Sequence, residues 1–132
     1  MAAMTDLDEM LRTLTVSVRP QRYTFITVET GTAPPLGEGV EAVIREDEAD
    51  TIVATVERAA AEGWPHHFMA AWLTLDVHSA LEAVGLTAAF SAALAAAGIP
   101  CNVLAAYHHD HVLVPADRAD EAVTALESLR AL

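Results

Sequence analysis

The chain has 132 residues, room for one ordinary domain or two very small ones packed together, and 53% of them are hydrophobic, so it can bury a core and does not read as disordered. Nineteen Asp and Glu stand against seven Arg and no Lys, a formal charge of −12 at pH 7. That balance excludes nucleic acid, whose phosphates demand a basic patch, and anionic membranes; its plain reading is a solvated surface.

In chain order, Thr5 begins a short helix, with Asp8 three residues on to complete a capping box. Leu7, Met10, Leu11 and Leu14 give it one apolar stripe, and a helix this short needs a sheet to dock on. Arg22–Val28 alternates and is rich in β-branched and aromatic residues, as a strand requires. Residues 29–37, Glu29 to Gly37 through Pro34-Pro35, have loop composition. Val40, Ala42 and Ile44 alternate with Glu41, Val43 and Arg45 as a half-exposed strand. Glu46-Asp47-Glu48-Ala49-Asp50 then turns the chain into a strand over Thr51–Val56. Its four carboxylates lack the glycine and distal glutamate of a calcium loop. Glu57–Glu62 is an alanine-rich helix ended by Gly63 and Pro65, and His66-His67 reads as linker.

Over Phe68–Val77, the residues Met69, Ala71, Leu73, Leu75 and Val77 fall on alternate positions, a strand with one apolar face. Phe68 and Trp72 then face the other way, where such large groups are expected to pack on another lobe or subunit. After the loop from His78 to Val84, the residues Leu86, Phe90, Ala93, Leu94 and Ala97 recur at helical spacing. Gly98 offers a left-handed cap and Pro100 forbids continuation. Cys101–Tyr107 is a strand, His108-His109-Asp110 a turn, and His111–Val114 the return strand, which Pro115 breaks. Asp117 is placed to cap a last helix with Ala119, Ala122, Val123, Leu126 and Leu129 on its buried face. The order strand, loop, strand, strand, helix in residues 22–63 is echoed by strand, helix, strand, strand, helix in 68–130, a degenerate internal duplication.

Gly85-Leu86, the helix ending Ala97-Gly98-Ile99, and the following Cys101-Asn102-Val103 resemble the core of the ACT domain. The longer run from Asp76 to Ala88, with Cys101-Asn102-Val103 and His109-Asp110-His111, is similar to a group of stand-alone tandem ACT proteins. The resemblance implies an α/β fold of ferredoxin-like βαββαβ type in two tandem ACT-like lobes, residues 1–64 and 65–132. The first lobe departs from the pattern, since no full helix fits after its first strand. The resemblance also implies a regulatory module that senses a small molecule, typically an amino acid. ACT domains hold amino acids between two domains, with the loop before the first helix of one and the second strand of the other. Asp76, Val77, His78, Gly85, Leu86 and Asn102 match those places.

The residues support a physical version of that site. A loop running into a helix N-terminus presents unpaired amides to a carboxylate. Asp76, at the end of the first strand beside that loop, answers an α-ammonium by charge, and Asn102, at the start of the neighbouring strand, offers both a donor and acceptors. Structural roles stay open beside these: a loop cap for Asp76, a backbone requirement for Gly85, a turn for Asn102. Alternation puts His109 and His111 on one strand face and His108 with Asp110 on the other, but zinc would need a third ligand. A tight turn explains the same residues. Catalysis is not expected: Cys101 opens a core strand, and the adjacency of His78 and Ser79 in sequence does not bring their side chains together. No metal or cofactor is expected. The expected partners are a small-molecule ligand, with an amino acid foremost, and a second copy of the chain as a homodimer, with no nucleic acid and no membrane. One cysteine allows no internal disulfide, and the N-terminus has no basic start or apolar signal core; the chain reads as cytoplasmic. One rival reading is a ligand-free interaction module assembling through sheet edges and exposed Phe68 and Trp72. The other is a metal-dependent enzyme built on the His108–His111 turn.

Overall fold

The computed structural model describes residues 6–77 and 84–131; the Thr5 cap and the side chains of His78 and Ser79 lie outside them. Along the chain run α1 (Asp6–Arg12), β1 (Thr15–Val28), β2 (Val40–Arg45), β3 (Asp50–Thr55), α2 (Val56–Glu62), β4 (Ala70–Asp76), α3 (Leu86–Ala96), β5 (Asn102–Ala105), β6 (Asp110–Pro115) and α4 (Ala119–Glu127). They fall into two units, Pro20–Ala70, and Met1–Arg19 with Ala71–Leu132. The mixed α/β architecture expected from the sequence is present. No helix among the described residues is long and apolar enough to cross a membrane.

In the smaller unit the strand order is β2-β3-β1. β1 and β3 pair antiparallel from Tyr23↔Thr55 to Val28↔Asp50. β1 begins at Thr15, not Arg22, because Thr15-Val16-Ser17-Val18 is itself a β-branched alternation and the exposed Pro20 does not end it. The alternation puts Ile26, Ile52 and Ala54 into a core with Val40 and with Ala59 of α2. Thr55 caps α2 by accepting from the Arg58 N–H at 3.1 Å. Gly63, at φ +70°, closes the helix: its N–H reaches the Ala60 carbonyl while that of Trp64 reaches Ala59. Asp50, expected in the turn, is instead the buried first residue of β3. Its Oδ2 accepts the Gly31 N–H at 3.0 Å, fastening the preceding loop, while Oδ1 is buried without a hydrogen-bond partner among the described residues. Phe68 is half-buried and stacks on Phe25, ring centroids 6.3 Å apart.

In the larger unit the order is β1-β4-β6-β5. Alternate residues of β4 (Ala71, Leu73, Leu75) and Val77 beyond it enter a core with Val112 and Val114 of β6. Met10 and Leu11 of α1 with Leu14 just beyond it, Leu86, Phe90 and Leu94 of α3, and Ala122 and Leu126 of α4 cover it, each Leu or Phe contributing about 1.5–3 kcal/mol on burial. Several details depart from the sequence expectation. Met69 precedes β4 and is 46% exposed, so it does not join the apolar face. Trp72 is not exposed: it is buried, with Arg19 and His111 of its own unit against its ring. Ala97 is an exposed cap of α3, not part of its buried stripe. Asp117 caps nothing: a 3-10 turn over Ala116–Arg118 intervenes, and α4 starts without a side-chain cap. Arg118 in that turn donates to the Gly98 and Ala97 carbonyls at 2.7 and 3.0 Å and pairs with Glu121 at 2.9 Å. A cation there suits the negative end of α3.

Candidate functional site

The period of β4 decides which side chains leave the core. With Leu73 and Leu75 turned inward, Trp72, Thr74 and Asp76 share the opposite face. On β6 the inward Val112 and Val114 leave His111 on that same face. The hairpin between β5 and β6 is closed by the Ala106 N–H to the His109 carbonyl at 3.0 Å. It carries His109 to the end of β4, where its Nε2 lies 3.5 Å from Asp76 Oδ1.

Here a cavity of about 350 Å³ opens, lined by Thr13, Asp76, Val77, His108 and His109. Asp76 and His109 remain close to half exposed, at 45% and 43% of their side chains, so a solute can reach both. The Thr13 hydroxyl donates back to the Glu9 and Met10 carbonyls, each at 3.2 Å, which leaves its methyl and a lone pair for the cavity.

Behind this wall, the Trp72 indole N–H donates to His111 Nδ1 at 3.1 Å, with the Thr74 hydroxyl 3.0 Å from the same nitrogen. An indole can only donate, so Nδ1 accepts and the neutral ring carries its proton on Nε2. The Arg19 guanidinium lies 3.9 Å from the centroid of the Trp72 ring, a cation–π contact. Burial pushes the His111 pKa down, aided by Arg19 and His109 and opposed by Asp110 and Asp76. Burial also raises the Asp110 carboxyl against the pull of His111. The rings of His108 and His111 flank that of His109, with centroids 6.4 and 6.5 Å from it. Among the described residues, no group of three or more His, Cys, Asp or Glu is placed to hold a metal ion.

Of the residues singled out in the sequence, Asp76 and Val77 line the cavity together, and His78 lies outside the described residues. Gly85 is the N-cap of α3 at φ +101°, a backbone conformation that already demands glycine, and a Cβ there would stand 2.9 Å from Leu7 Cδ2. Leu86 is buried in the core. Asn102 donates from Nδ2 to the Leu113 carbonyl at 3.4 Å. Its strand does not adjoin that of Asp76: β6 lies between β4 and β5. Asn102 pairs with Leu113, while Asp76 stands beside His109 at the other end of the hairpin. Thr13, His108 and His109 complete the lining. Their signal is present in the sequence as a hairpin whose tip must meet a neighbouring strand end, but that neighbour is set by strand order.

Two models for the ACT domain match the chain, one over residues 2–71 and one over residues 69–128. No curated protein matches. Among solved structures, a Vibrio cholerae protein of unknown function, described as a possible transport protein, is 37% identical with a TM-score of 0.84, and the match covers 94% of this chain and 95% of that one. A protein from Agrobacterium tumefaciens is 17% identical, with a TM-score of 0.70 over 89% of each chain. The ligand-free regulatory subunit of aspartate kinase from Thermus thermophilus is 14% identical, with a TM-score of 0.60 over 86% of this chain and 95% of that one. At those lower identities the likeness is one of fold.

Proposed function

The chain belongs to the ACT domain family, and on that premise we propose that it is a non-catalytic regulatory module that binds a small molecule, an amino acid foremost, and responds to its occupancy. The observation that carries this reading is the cavity at the end of β4, where Asp76 and Val77 form a wall with His108 and His109. Asp76 supplies a counter-charge for an ammonium group. Beside it, the contact with His109, at 3.5 Å between two side chains close to half exposed, is weak enough to exchange for a ligand. The aspartate kinase regulatory subunit among the structural relatives supports the regulatory half of the proposal by fold. We read the working form as a homodimer, with Val43 and Ile44 exposed on β2, the last strand in the smaller unit's order, as its seam.

A thermal-shift screen across the amino acids tests the proposal. A ligand at about 100 times its dissociation constant adds ~2.7 kcal/mol of stability, a shift that is easily read. Stabilisation by one amino acid or a small set is expected. No shift with any of them, together with concentration-dependent self-association, would favour the ligand-free interaction module instead.

A further inference from the structure

His109 is fixed before any ligand arrives. Its carbonyl accepts the Ala106 N–H that closes the hairpin between β5 and β6, at 3.0 Å. Its ring is flanked by those of His108 and His111, with centroids 6.4 and 6.5 Å away, and His111 is itself anchored by the Trp72 indole N–H at 3.1 Å. The outcome is an Nε2 held 3.5 Å from Asp76 Oδ1 at the wall of the cavity. An imidazole nitrogen donates from the cation or from the neutral Nε2–H tautomer, while an ionised carboxylate only accepts. Donor and acceptor therefore lie side by side, both close to half exposed.

In an α-amino acid the ammonium nitrogen and a carboxylate oxygen are three bonds apart, N–Cα, Cα–C and C–O, which sets them roughly 3 Å from each other. An ammonium held by Asp76 thus brings its own carboxylate close to this aspartate, where it needs a donor in a chain of formal charge −12. We propose that the donor is His109, so that Asp76 and His109 together read the two ends of an α-amino acid. The aspartate takes the ligand's ammonium and Nε2 takes the ligand's carboxylate. Protein pair and ligand exchange partners, and along the sequence Asp76, ammonium, carboxylate, His109 each charge has only opposite neighbours. The inference rests on the ligand-binding reading of the same cavity and deepens it: both ends of the zwitterion are necessary, and the side chain is left to Thr13, Val77 and His108.

The test is calorimetry with the standard L-amino acids, each beside its α-amide, which keeps the ammonium and removes the carboxylate charge. Titrations run at about pH 6.5, below the ordinary α-amino range of about 7.7–8.0, so that the ammonium is kept. At least one amino acid is expected to bind about tenfold or more tighter than its amide, the scale of one charge-assisted hydrogen bond. His109→Ala should cost the amino acid that factor, while the amide keeps its affinity or gains because its competitor for Asp76 is gone. His109→Gln, which retains an uncharged donor, should recover part of the loss, and Asp76→Asn should weaken acid and amide alike. Unchanged melting curves of the unliganded variants separate a lost contact from a lost fold, and the acid-to-amide ratio on wild type stands without them. An amide binding as tightly as its amino acid, or an amino acid indifferent to His109→Ala, would overturn the inference while leaving a ligand site at Asp76 in place. No binding by any amino acid would overturn the inference and the reading it rests on together.

Discussion

The indole N–H of Trp72 and the Nδ1 of His111 meet at 3.1 Å, and this bond requires a neutral nitrogen on the histidine. Burial, Arg19 and His109 depress the His111 pKa, so on acidification the unfolded chain takes up this proton before the folded one. The contribution of His111 to stability is therefore fully present above the ordinary imidazole value of about 6.5 and is lost as the pH falls below it towards the folded value. The raised pKa of Asp110 has the opposite sign: its contribution is present below the ordinary carboxylate range and is lost as the pH rises through the folded value. Melting temperature should fall between pH 7.5 and pH 5.5, and His111→Gln should flatten that slope. An equal slope in the variant would remove His111 from the explanation.

Gly85→Ala places a Cβ 2.9 Å from Leu7 Cδ2 at a backbone φ of +101°. Strain and overpacking together should cost about 1–3 kcal/mol, read as a lower denaturant midpoint. Adding Leu7→Ala should relieve the packing part and leave the backbone part. Full additivity of the two losses would show that Leu7 is not what Gly85 accommodates.

Thr55→Ala removes the acceptor for the Arg58 amide at the start of α2, a loss of about 1 kcal/mol on the scale of helix caps. Thr55→Ser keeps the oxygen and should recover most of it. Urea melts of the two variants side by side decide the point.

Asn102→Ala should leave ligand affinity within about twofold, because β6 separates its strand from that of Asp76. Its side-chain hydrogen bond, 3.4 Å to the Leu113 carbonyl, is long, and its loss should cost no more than about 1 kcal/mol. Calorimetry on the variant is the check, and a large loss of affinity would place Asn102 in a site with Asp76 after all.

What could be read from the residues follows their periods. Leu73 and Leu75 announce a strand face because every second position is apolar, and Leu86, Phe90 and Leu94 announce a helix face because they recur at three and four. Gly63 and Gly98 end their helices in the left-handed conformation that glycine supplies without strain. Strand order is different, since it arises from which faces can be buried together and leaves no local mark. Asn102 and Asp76 therefore read as neighbours in sequence logic while β6 stands between them. For the same reason the meeting of His109 with Asp76 was not legible, although the turn that delivers His109 was. Trp72 reads as an orphan on an outer face because nothing in its own segment reveals that Arg19 and His111 will cover it.

The central claim is that a ligand sits against Asp76 in the cavity beside His109, and a calorimetric titration tests it most directly. The titrant is the amino acid that stabilises the protein most, against wild type and Asp76→Asn. Loss of one charge-assisted hydrogen bond should weaken binding by about 1–3 kcal/mol, roughly 5- to 150-fold, with the melting temperature of the unliganded variant little changed because the side chain is 45% exposed. Equal affinity in the two proteins would contradict the claim.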